Sequence, residues 1–183
     1  MMLAMTAAAL AYAVSNGTGG HRALALVEPR IVNGEEAKPF EYSFMVALIS
    51  SGRNGGAPSE PVFNGLFCGG ALVGPKAVLT AAHCVHRTKA NELYVAVHRH
   101  NLRRNSDKED SDCSRTIAVE KIHSHPRYND NSLKNDFALL VLKEPAPCAY
   151  VGGKTKLATM YSGSDKRTEN IGVTATGVRI CTQ

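Results

Sequence analysis

An all-β fold, either a barrel or a sandwich, is predicted for this chain by three observations. Short apolar runs recur at roughly regular spacing, each bounded by Gly, Pro, Asn, Asp or Ser clusters. No window carries the apolar repeat of an amphipathic helix of ordinary length. No internal repeat or low-complexity tract offers a different architecture.

The runs follow in order. Residues 42–49 form the first candidate strand, and 70–73 and 77–81 the next two, parted by Gly74-Pro75. A fourth spans 92–98. The fifth, 116–123, places Ile117, Val119 and the stem of Lys121 at alternate positions, which reads as a half-buried strand. The sixth, 137–142, is nearly all apolar, as a strand covered on both faces would be. Residues 51–59 and 101–112 read as surface loops, the second a mobile acidic one.

A length of 183 residues predicts one domain that can bury a core without depending on metal or disulfides. The formal charge of +5 comes from scattered basic residues rather than a stripe, and no aromatic platform accompanies them, so no nucleic-acid partner is expected. Residues 3–14 are apolar apart from Thr6, and Ala11-Tyr12-Ala13 has the small-x-small form of a cleavage site. A signal peptide over 1–13 and secretion are therefore expected, although no Lys or Arg precedes the run. That run is too short to span a bilayer, so no membrane span is expected. Five cysteines in an oxidising compartment predict two bridges and one cysteine left over. No Cys-x-x-Cys spacing points to zinc, and no metal or cofactor is expected.

The candidate chemistry centres on His83. It follows an apolar strand where Thr80-Ala81-Ala82 narrows the side chains and leaves room for another group to approach. An imidazole suits a general base at neutral pH when something holds its tautomer. Asp136 is the candidate orienter: a carboxylate at the edge of an apolar strand needs donors, and an imidazole N–H is one. An aspartate that merely caps a loop at a strand start is an equal alternative on residues alone. His98 and His100, and likewise His123 and His125, are read as pairs sharing one strand face, with metal binding not expected.

Several blocks in fixed order resemble the chymotrypsin/trypsin-like serine protease family. They are Arg30-Ile31-Val32-Asn33-Gly34, Phe67-Cys68-Gly69-Gly70, Leu79-Thr80-Ala81-Ala82-His83-Cys84, His100-Asn101-Leu102, His125-Pro126-Arg127-Tyr128-Asn129, Asn135-Asp136-Phe137-Ala138-Leu139-Leu140 and Thr174-Ala175-Thr176-Gly177. The resemblance implies the six-stranded Greek-key barrel that opens this two-barrel fold, with only the start of a second barrel present. It implies that His83 is the general base and Asp136 its orienter, and that Cys68–Cys84 is a disulfide behind the histidine. It further implies a short propeptide over 14–30, cut between Arg30 and Ile31 by an activating protease, and a protease domain over 31–183. Protein or peptide substrates follow.

Two departures qualify the implied activity. No Gly-Asp-Ser-Gly-Gly-Pro segment occurs, and Ser162-Gly163-Ser164-Asp165 has the wrong order to replace it. Where calcium-binding relatives carry a glutamate, this chain has Arg99, so that site is not carried over. The expectation is a serine endopeptidase represented by an incomplete chain, inactive by itself; the alternative is a non-catalytic homologue that binds a target protein. Separately, Cys113 and Cys148 lie just outside two strands, 116–123 and 137–142. If these pair antiparallel, their outer ends meet, which predicts a Cys113–Cys148 bridge and leaves Cys181 unpaired.

Overall fold

The computed structural model describes residues 37–51 and 56–160. Six strands lie at the six expected places: β1 Met45–Ser50, β2 Leu66–Gly74, β3 Ala77–Thr80, β4 Leu93–Val97, β5 Arg115–Ser124 and β6 Ala138–Leu142. They close into one barrel in the order β1-β2-β3-β6-β5-β4, with every pairing antiparallel. Closure leaves no open sheet edge. Of the two all-β architectures, the barrel is therefore the one adopted. After β3 the chain does not pair onward. It passes through a one-turn helix, α1 (Ala82–Val85), and crosses to the far side of β1, where β4 docks.

The interior follows the period of two. Val46 and Leu48 of β1, Leu93, Val95 and Val97 of β4, and Leu140 and Leu142 of β6 point inward and are buried. Each fully buried Leu or Val contributes on the order of 1.5–3 kcal/mol. A second, smaller cluster lies outside the barrel, where Ala47, Ile49 and Ala96 pack under Val62 of a 3-10 turn. Gly70 is where β2 and β3 approach: a Cβ there would meet the Leu79 carbonyl oxygen at 2.9 Å.

Two strand expectations change. The β5–β6 register slips between Val119 and Lys121, so Lys121 turns out to solvent and Ile122 packs partly against the core in its stead. β6 is not covered on both sides among the described residues: Leu139 is 37% exposed and Phe137, just before the strand, 48%. Its outward face is apolar but open.

The acidic loop also departs from expectation. The Glu109 side chain is only 5% exposed and accepts hydrogen bonds from Arg99 Nε and from the backbone N–H groups of His100 and Asn101. Arg99, 1% exposed, also reaches Glu60 at 3.3 Å and the Arg104 carbonyl. A guanidinium thus fills the space among these carboxylates and ties the loop down. His98 and His100 do not share a strand face, because β4 ends at Val97 and His98 turns into left-handed backbone at φ 50°. Among the described residues no helix is long and apolar enough to cross a membrane.

Candidate active site

His83 and Asp136 lie far apart in sequence and meet because β3 pairs with β6. Thr80 of β3 stands opposite Ala138 of β6. His83 lies three residues beyond the first and Asp136 two before the second, so both emerge from the same end of one ladder. Thr80 itself is buried and its hydroxyl donates to the Gly69 carbonyl at 2.8 Å, holding the end of β3 against β2.

Helix α1 then presents the imidazole. Ala82 is fully buried beneath it, whereas the His83 side chain is 51% exposed. On the other side, a turn closed by Asn129 and Lys134 leads to Asn135, which adopts φ 56° and anchors its side-chain amide on the Arg127 carbonyl at 2.8 Å. This left-handed residue aims Asp136 back at the helix.

Asp136 grips His83 twice. Its Oδ1 accepts the His83 backbone N–H at 2.8 Å, and its Oδ2 lies 2.7 Å from Nδ1. An ionised carboxylate only accepts, so this contact places the proton on Nδ1 and leaves the Nε2 lone pair free to receive one. The Asp136 side chain is 21% exposed, hence half-buried rather than buried. Its carboxyl pKa lies below the ordinary value, first because of the hydrogen bond from the His83 ring and then because of backbone N–H donors. The capping alternative is compatible with the backbone contact, but the ring contact goes beyond it.

Both expected bridges are formed. Cys68–Cys84 fastens α1 to β2 beside the imidazole, with Cys84 Sγ 3.5 Å from His83 Nε2. Cys113–Cys148 joins the chain before β5 to the chain after β6. Cys68 and Cys84 in one histidine cluster and Cys113 in the other are committed to these bridges, so neither cluster offers thiolate ligands to a metal. An open cavity of about 330 Å³ is lined by Ser50, Ser51, Phe67, Cys84, Thr88 and Glu92. Arg30, Ile31, Ser162 to Asp165, Thr174 to Gly177 and Cys181 lie outside the described residues.

Sequence reasoning missed a second carboxylate-centred group at the end of α1. Asp130 accepts from Arg87 at 2.8 Å and from the Tyr128 hydroxyl at 3.1 Å, and Arg87 Nε donates to His86 Nε2 at 2.9 Å. Tyr128 falls within a family block, but nothing in the spacing tied Asp130 to Arg87.

Asp136 offers a direct pH test. Its folded pKa is depressed, so its stabilising contribution is present above the ordinary value of 3.8 and is lost as pH falls through the lowered folded value. Carboxyl-carbon NMR should show Asp136 titrating below 3.8, and His83→Ala should move that titration upward. A titration unmoved by His83→Ala would contradict the stated cause.

Comparison with known proteins agrees with this fold. The family model described as Trypsin matches residues 31–179. Protein masquerade of Drosophila melanogaster is 36% identical over 130 residues, covering 70% of this chain and 10% of that protein. Mouse vitamin K-dependent protein C is 38% identical over 119 residues, covering 65% of this chain and 22% of its own length. Among solved structures, the Vibrio cholerae VesB protease superposes with a TM-score of 0.51 at 34% identity, covering 63% of this chain and 32% of that one. The chain thus spans well under half the length of each of these proteins. With a matched family model over most of its length and the family's barrel in its structure, the chain belongs to the trypsin family of serine proteases.

Proposed function

We propose that this chain carries the base half of a serine endopeptidase site, with His83 as general base and Asp136 as the residue that orients it. The observation that carries the reading is the 2.7 Å contact between His83 Nδ1 and Asp136 Oδ2, which leaves Nε2 unprotonated and accessible. When a serine hydroxyl attacks a peptide carbonyl, Nε2 takes its proton and then returns it to the departing amine. Asp136 remains ionised and stabilises the imidazolium formed in between. The reading requires a nucleophilic serine and oxyanion donors, and the Gly-Asp-Ser-Gly-Gly-Pro segment expected to supply them does not occur in this sequence.

The surrounding organisation follows the same reading. Residues 1–13 act as a signal peptide, 14–30 as a propeptide and 31–183 as protease domain. Cleavage between Arg30 and Ile31 by an activating protease matures a secreted enzyme whose substrates are proteins or peptides. Support for that boundary comes from the family match, which begins at residue 31.

The purified 183-residue chain is expected to show no turnover of a broad panel of peptide esters. Turnover abolished by a serine-directed inhibitor would overturn the half-site reading. Transcript sequence beyond Gln183 is expected to encode a Gly-Asp-Ser-Gly-Gly-Pro segment; a stop codon there would favour a target-binding homologue instead.

A further inference from the structure

His98 is a titratable group that the chemistry at His83 does not use, and three separate segments converge on it. Its side chain is 1% exposed. The Phe40 ring stacks on it at 4.6 Å and 6°. Nδ1 lies 3.0 Å from Thr155 Oγ1, and Nε2 lies 3.5 Å from Asp110 Oδ2. Phe40 belongs to the run entering β1, Asp110 to the loop between β4 and β5, and Thr155 to a strap that follows β6. The strap is bonded to the entering run as well: Ser43 Oγ donates to the Lys154 carbonyl and accepts from the Lys156 N–H.

The hydrogen-bond inventory makes the neutral ring a compromise. Thr155 has one hydroxyl proton, and its oxygen lies 2.8 Å from the Pro147 carbonyl. If that proton goes to Pro147, Nδ1 must carry a hydrogen, and the bare Nε2 then faces a carboxylate. If Nε2 carries the hydrogen, the Pro147 carbonyl loses its donor. An imidazolium satisfies all three partners but places a charge where water does not reach. Asp110 is already engaged by Lys154 at 3.1 Å, which lowers its own pKa and sets a cation near the ring. The charged groups facing His98 are Asp110 and Glu109 from the loop and Lys154 from the strap; the entering run contributes the Phe40 ring.

We propose that His98 is an acid-sensitive latch: the neutral ring seats the strap and the entering run against the barrel, and its protonation releases them. Burial is the leading influence on the ring and pushes its pKa below 6.5, with Asp110 opposing. The sign follows by linkage. A base with a depressed folded pKa favours the closed state fully above about 6.5, and that preference is lost as pH falls from there toward the lowered value. Left-handed backbone at His98, unusual for a residue with a Cβ, is held by the same packing and is released with it.

Amide hydrogen exchange on the full chain, expressed as protection factors, tests the latch. The reporters are the N–H groups of Thr155, bonded to Cys148, and Ala158, bonded to Leu72. Between pH 7.5 and 5 their protection is expected to fall, while amides within β4 keep theirs. His98→Gln is expected to abolish the pH dependence. Protection that is unchanged or rises on acidification, or a fall that persists in His98→Gln, would overturn the proposal. If that variant does not fold, imidazole NMR of the unaltered chain decides: the His98 ring must titrate in step with the loss of protection.

Discussion

Replacing Arg99 with alanine is expected to cost about 3–5 kcal/mol of folding stability, because it strands a carboxylate that the fold has taken out of water. Arg99 is 1% exposed and Glu109 5%, and two backbone N–H groups complete the Glu109 contacts without neutralising its charge. Urea unfolding followed by tyrosine fluorescence reads the loss as a fall in midpoint at unchanged slope. The companion experiment separates a stranded charge from lost packing. Arg99→Met with Glu109→Gln removes both charges while keeping the volume and a side-chain acceptor for the backbone N–H groups, and most of the stability is expected to return. A double variant as unstable as Arg99→Ala would show that packing, not charge burial, dominates.

The second large effect concerns the Cys113–Cys148 bridge. It closes a loop of 35 residues, and chain-entropy arguments assign about 4 kcal/mol to such a closure against about 3 kcal/mol for the separation of 16 at Cys68–Cys84. Cys113→Ala with Cys148→Ala is therefore expected to destabilise more than the corresponding double change at Cys68 and Cys84. Full burial of Cys113 adds to the difference. Denaturant midpoints of the two double variants check the order. A reversed order would mean that pinning α1 to β2 matters more than loop closure.

Much of this molecule was legible in its residues. The six strands fell where short apolar runs met turn residues, because a closed barrel gives each strand one buried face and a period of two records that directly. The His83–Asp136 contact was legible because the family blocks that carry the two residues are specific. The β5 bulge escaped, since one extra residue reverses the facing of Lys121 without leaving a mark in composition. Arg99 and Glu109 escaped for a related reason. Alternating charges read as a solvated loop, and only the chain reversal after Val97 carries the pair inside. Likewise, two histidines one residue apart look like partners on a strand until the backbone at His98 turns left-handed.

The ladder of β3 and β6 has one further consequence. His83 and Asp136 inherit their spacing from the Thr80–Ala138 register, not from the long stretch of chain between them. That stretch contains β4, β5 and two sizeable loops, and its length is decoupled from the distance between the two side chains. Insertions that leave the Arg99–Glu109 pair in place can reshape the outer surface of residues 101–112 while the imidazole and carboxylate stay in register. The barrel thus separates the loop outline from the His83–Asp136 contact, which the ladder fixes.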